Sequence, residues 1–247
     1  MNITFPTTFV FLTLFFNGLV DKEPSIIKKI DNTYKASNSS SDLYKLEALI
    51  QKSIKSFPES GKIFWRLGRT YFKLGENAQS GSEKIHYYLL CIEQTRKSIK
   101  INNNLASGYF FNGLCNGSLG QVQGIWSSLG KIKPFKKDME TAISIDPSID
   151  NGGPHRAIAN LYLQLPYLLG GDLDQSVTHF QEAIRFGPKY GENYLGLAEA
   201  YIQKKDFHLA RDTLKEILNI KSDSQKIGTI REWHDKAISL LKQLQNK

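Results

Sequence analysis

Ala142-Ile143-Ser144-Ile145-Asp146-Pro147 and Ala183-Ile184-Arg185-Phe186-Gly187-Pro188 are two copies of one phrase. It reads small, aliphatic, any residue, apolar, any residue, proline. Three looser copies accompany them. Ser53-Ile54-Lys55-Ser56-Phe57-Pro58 keeps the proline but has Ser56 at the apolar place. Ser98-Ile99-Lys100-Ile101-Asn102-Asn103 and Ile217-Leu218-Asn219-Ile220-Lys221-Ser222 lack the proline. The first residues run Ser53, Ser98, Ala142, Ala183, Ile217, at intervals of 45, 44, 41 and 34 residues. A period of this size, with each copy closing a helix-like stretch, is the signature of a helical solenoid. Each unit in such an array buries its apolar face only against its neighbours. Proline cannot continue a helix without losing a backbone bond and clashing with the preceding turn, so Pro58, Pro147 and Pro188 are each expected just past a helix end.

Within the units the period is helical. In Gly191–Ile220, Tyr194, Leu197, Ala198 and Tyr201 share one face, Lys204-Lys205-Asp206 makes a turn, and Ala210, Leu214 and Ile217 form the face of a second helix. Phe64-x-x-Leu67-Gly68-x-x-Tyr71 repeats the first half of that arrangement. This wording resembles the tetratricopeptide repeat, and the expected fold is all-α. It comprises a right-handed α-solenoid of about four helix pairs, closed by a capping helix over Gly228–Gln245. Gly68, Gly113, Ala159 and Ala198 are the small residues at which paired helices approach closely. The first three intervals exceed the usual 34, so extra residues are expected around Gly75–His86, Val122–Phe135 and Pro166–Asp172.

The segment Gly152-Gly153-Pro154-His155-Arg156, followed by Leu161-Tyr162, Pro166, Gly170-Gly171-Asp172 and the phrase ending at Pro188, carries the most specific wording. In that order it resembles the T component of tetratricopeptide-associated tripartite (TRAP) periplasmic transporters and, more distantly, eukaryotic regulators of microtubule dynamics. The transporter resemblance implies a periplasmic solute-binding protein as partner. The chain departs from that component in having no lipid-attachment cysteine. Physically, Gly152, Gly153 and Pro154 suit a helix entry, and Gly170, Gly171 and Asp172 end one helix and cap the next. A constrained turn accounts for them, with a binding role for His155 and Arg156 as the alternative.

Composition excludes much. The 247 residues carry a net charge of +8, but the lysines are scattered, and the tightest group, Lys131, Lys133, Lys136 and Lys137, surrounds one proline. A solvated surface explains the charge, and no nucleic-acid partner is expected. Cys91 and Cys115 fit no metal spacing; they read as small buried hydrophobes or, in an oxidising compartment, as a disulfide between consecutive units. The five histidines form no cluster in sequence. Nothing pairs a nucleophile with a base, so no enzyme, cofactor or metal is expected.

Residues 1–20 contain an uncharged apolar run over Phe5–Val20. It is short for a bilayer span and suits a secretory signal peptide, with a membrane anchor or a buried first helix as alternatives. Residues 21–41, with Ser37-Asn38-Ser39-Ser40-Ser41, read as a flexible tether, and the repeat domain as 42–247.

Aligning the units on their small residues points a set of first-helix positions into a concave groove. They are Trp65, Arg69 and Phe72; Phe110 and Leu114; Arg156, Asn160 and Leu163; and Leu195, Glu199 and Ile202. A mostly apolar wall with Arg69, Arg156 and Glu199 at intervals suits an amphipathic guest, either a partner's helix or a small acidic lipid-like molecule. The alternative is that Ile125, Trp126 and Leu129 fold back and fill the concavity. A homo-oligomer stays open.

Overall fold

A computed structural model describes residues 22–221 and 227–245. Among the described residues all regular elements are helical. In chain order they are α1 (Glu23–Ala36), α2 (Ser40–Ser56), α3 (Gly61–Asn77), α4 (Gly81–Ile101), α5 (Ala106–Gln123) and α6 (Ile125–Ile145). Then come α7 (Ile149–Gln164), a 3-10 turn (Tyr167–Leu169), α8 (Leu173–Phe186), α9 (Gly191–Lys204), α10 (Phe207–Leu218) and α11 (Ile227–Gln243). This is the α-solenoid class, with α3 packed on α4, α4 on α5, α7 on α8 and α9 on α10. Pro58, Pro147 and Pro188 each follow a helix end by two residues, as their chemistry requires. The apolar leader expected over 1–20 lies outside the described residues. So do the side chains of Ile125 and Trp126.

The chain divides into two compact units, Met1–Lys131 and Ile132–Lys247. In the N-terminal unit Ile30, Leu43, Leu46, Ile50, Ile63, Leu67, Tyr71 and Leu74 form the centre of the core. Gly68 sits where α3 meets α4: a Cβ there would lie 2.5 Å from Thr95 Cγ2. Serines start the helices, Ser39, Ser60 and Ser80 each accepting a backbone N–H three residues on. Cys91 and Cys115 are disulfide-bonded, tying α4 to α5.

The tether expected over residues 21–41 is instead mostly helix. Ile26, Ile27, Ile30 and Tyr34 give α1 an apolar face, and Ile30 is fully buried. Asp31 then pairs with Arg66 at 2.6 Å and Arg69 at 2.9 Å on α3. The serine run that suggested flexibility is only the α1–α2 connection and the cap of α2. The extra length around Gly75–His86 and Val122–Phe135 also goes into helix, with α4 and α6 each 21 residues long.

The C-terminal unit packs Ala159, Phe180, Leu195, Ala198, Ala210, Leu214 and Ile217 into one core, closed by Trp233 and Ala237 of α11 and by Leu244 just past its end. Trp233 is 1% exposed, so α11 covers the last repeat.

Candidate partner-binding cleft

The glycine-proline wording in the first turns of α7 folds into a left-handed kink. Asp150, Asn151 and Gly152 take successive φ values of 49°, 57° and 78°. Only glycine fits the third place: a Cβ on Gly152 would stand 2.5 Å from the Ala183 carbonyl oxygen. Pro154 then occupies the first regular turn, where its missing N–H costs nothing. Two side chains lock the turn. Asn193 Nδ2 donates to the carbonyls of Asn151, Ala183 and Gly187. Arg156 donates to Asp150 Oδ2 at 2.6 Å and to Asn193 Oδ1 at 2.9 Å, with its guanidinium 4.6 Å from the Tyr190 ring centre. At the other end of α7, Gly170 is left-handed and Asp172 caps α8 through the N–H groups of Asp174 and Gln175.

With the turn fixed, three helix faces converge on a cleft of about 410 Å³. From α7 come Arg156 and Asn160; from α9, Glu192, Leu195, Gly196 and Glu199; from α11, Lys236, Ser239 and Leu240. The spacings i, i+4 on α7, i, i+3, i+4, i+7 on α9 and i, i+3, i+4 on α11 are each one helical face. Trp233 Nε1 donates to Glu192 Oε1 at 2.9 Å, and Lys236 Nζ lies 3.6 Å from the same oxygen. A second hollow of about 240 Å³ adjoins, lined by Glu199, Ile202, Gln203, Leu240, Gln243 and Leu244. Desolvation, then the nearby Glu192 carboxylate, raise the pKa of Glu199, with Lys236 opposing.

Of the groove residues expected from sequence, the structure brings Arg156, Asn160, Leu195 and Glu199 to the first hollow and Ile202 to the second. Leu163 is buried in the core of the same unit. Trp65, Arg69, Phe72, Phe110 and Leu114 belong to the N-terminal unit. There Trp65 stacks on Phe111, with ring centres 5.9 Å apart, and Phe72 contacts the same ring. Phe110 is 1% exposed, a core residue of its unit, and Leu114 is half-buried. Arg69 lies over Tyr34 of α1 and pairs with Asp31. Burial opposes ionisation of Asp31, but Arg66 and then Arg69 overcome it and hold the carboxyl below its ordinary value. Sequence reading missed Glu192, Lys236, Ser239 and Leu240. The amphipathic period of α11 shows its buried stripe, whereas its second face is polar and gives no signal of what it meets.

Between α7 and α8 His155 and His179 bring their Nδ1 atoms to 3.1 Å, and Lys136 donates to the Tyr162 hydroxyl, whose ring stacks on His179. Burial, then His179, push His155 down to about 4; burial, then Lys136, also lower His179. Among the described residues no cluster of three His, Cys, Asp or Glu side chains could hold a metal ion. No helix there is long and apolar enough to cross a membrane.

The model of the regulator of microtubule dynamics protein 1–3 family matches residues 26–150, just over half of the chain. The chain belongs to that family. The model of the TRAP transporter T component matches residues 120–242, which contain the glycine-proline turn and the cleft. The family that reads as the more distant resemblance in sequence thus covers slightly more of the chain than the transporter component. Regulator of microtubule dynamics protein 1 of Bos taurus is 22% identical over 203 residues, 75% of this chain and 61% of that protein. Protein KINESIN LIGHT CHAIN-RELATED 1 of Arabidopsis thaliana is 28% identical over 134 residues, 49% of this chain and 22% of that protein. The chain therefore spans less than two thirds of either relative. Among solved structures, a thermophilic TPR protein of Thermus thermophilus superposes with a TM-score of 0.66 at 16% identity, covering 88% of this chain and 99% of that one. PilF of Pseudomonas aeruginosa gives 0.60 at 13% identity, covering 93% and 94%. This family member thus has the tetratricopeptide fold.

Proposed function

We propose that the chain is a non-catalytic repeat scaffold that holds a segment of a protein partner in the cleft between α7, α9 and α11. The observation carrying this is the convergence of three helix faces on one open trough whose walls alternate apolar and polar groups. Arg69 and Arg156, which would have received an acidic lipid-like guest, are each already paired, with Asp31 and Asp150. An amphipathic protein segment therefore suits the cleft better than an acidic lipid. Placing the scaffold outside the cytoplasm rests on the apolar run at Phe5–Val20, the Cys91–Cys115 bond and the T-component likeness, which also supports a periplasmic solute-binding protein as partner.

The test is recovery of a partner from the native source on immobilised protein, followed by titration of the purified partner. Binding should be lost in Leu240→Asp and kept in Leu89→Asp, a change at an exposed leucine of α4. Equal loss or equal retention in both variants argues against the cleft. The second reading is a cytoplasmic or membrane-tethered adaptor acting on microtubules, favoured by family membership. Finding both cysteines reduced in protein from its native source would favour it.

A further inference from the structure

The two cations and two carboxylates that line the cleft match in number but not in pairing. Arg156 is neutralised by Asp150 at 2.6 Å. Lys236 leans on Glu192, whose Oε1 also accepts from Trp233. Glu199 has no hydrogen bond or ion pair among the described residues, and it stands where the two hollows meet, lining both together with Leu240. We propose that this two-lobed cleft receives a lysine or arginine side chain of a protein partner, with Glu199 as the accepting carboxylate and an apolar neighbour of that residue in the second hollow. The proposal rests on the docking reading above and names the chemistry of the docked segment.

Long basic side chains match the lining group for group. Leu195 and Leu240 flank the path to Glu199, so the methylene stem lies on apolar wall while the charged head reaches the carboxylate. Glu199 lacks a close countercharge of its own, since Lys236 sits against Glu192; burial, then the Glu192 carboxylate, raise its pKa. A guest cation supplies that partner and makes a charge-assisted hydrogen bond. An acidic guest would meet Glu192 and Glu199 with like charge, which excludes it by repulsion. Ile202 and Leu244 in the second hollow supply an apolar seat for the next side chain of an extended segment.

Three labelled probe peptides decide the matter by fluorescence anisotropy on the whole protein: leucine alternating with lysine, with glutamine and with glutamate. The lysine probe should bind at least roughly tenfold tighter than the glutamine probe, with the glutamate probe weakest, and the preference should shrink as salt screens the contact. Glu199→Gln should reduce the lysine probe to the level of the glutamine probe. Glu93→Gln, an exposed change on α4, should not. Circular dichroism checks that each variant is folded, and Ser239→Trp, which fills the cleft from an exposed position, serves as a second block. Equal binding of all three probes, lost on Ser239→Trp, overturns the choice of a basic guest while leaving the docking reading intact. Binding that survives Ser239→Trp, or no binding by any probe, overturns both. If butylamine displaces the lysine probe as effectively as unlabelled peptide does, the guest is a small amine and the peptide assignment fails.

Discussion

Gly152 and Arg156 show how single residues set the geometry of the C-terminal unit. Gly152→Ala would force a Cβ against the Ala183 carbonyl in a left-handed conformation. A loss of roughly 1–3 kcal/mol is expected in chemical denaturation, and an unchanged midpoint would contradict the turn. Glu199 bears a cost of a different kind, set by burial and then by the Glu192 carboxylate. A carboxyl whose folded pKa is raised contributes stability present below its unfolded value of 4.5 and lost as pH rises through the folded value. Glu199→Gln should therefore raise the melting temperature at pH 7 and leave it unchanged below the unfolded value. The histidine pair works the other way, since its folded values are lowered. Its stability is present above the unfolded value of 6.5 and is lost as pH falls toward about 4, where His155 titrates. Lys136 and Arg185 add to that cost, and Glu140 and Glu182 offset part of it. Thermal melts between pH 7 and 4.5 should fall by an amount worth about 2 kcal/mol, and less so in a His155→Phe, His179→Phe double variant.

At the scale of elements, the terminal helices carry more than their composition suggests. Without α11 the apolar side of α9 and α10 would face water, because Trp233, Ala237 and Leu244 complete that core. Trp233→Ala should cost about 3–5 kcal/mol by equilibrium unfolding, since the side chain is 1% exposed and its Nε1 holds Glu192. Ala198, fully buried between helices, admits nothing larger; Ala198→Leu should cost roughly 1–3 kcal/mol through overpacking. A stable Ala198→Leu variant would mean that α9 can rotate away from its neighbours. Helix α1 owes its order to contacts made 35 or more residues away, through Asp31 to Arg66 and Arg69.

For the molecule as a whole, the Cys91–Cys115 bond links fold to compartment. It joins residues 24 apart in sequence within the N-terminal unit. Removing it should destabilise that unit by about 2–4 kcal/mol, measured on Cys91→Ser, Cys115→Ser against the oxidised protein. In protein from its native source, the cysteines should resist alkylation until reduced, and the mature N-terminus should lie beyond the apolar run. Free thiols together with an intact N-terminus would move the scaffold into a reducing compartment. The net charge of +8 does not decide the partner at this scale, because the cleft itself is lined by two carboxylates, Glu192 and Glu199, beside Arg156 and Lys236.

The sequence by itself determined the repeat architecture. Proline ends helices for local steric reasons, and an apolar period of about 3.6 residues requires a packed face, so the phrases ending at Pro58, Pro147 and Pro188 marked helix ends that the structure contains. Small residues at Gly68, Ala159 and Ala198 announced close contacts for the same reason, and Asp172 announced a cap. The N-terminal helix was not legible, because its order comes from an ion pair and from Ile30 reaching a core built by distant residues. The cleft was half legible: the first-helix register gave Arg156, Asn160, Leu195 and Glu199, while Glu192, Lys236, Ser239 and Leu240 needed the docking of α11. Whether Arg156 was free to bind or consumed in a turn depended on where Asp150 and Asn193 stood. That choice belongs to tertiary structure, since a charge is available only if no neighbour in space already neutralises it.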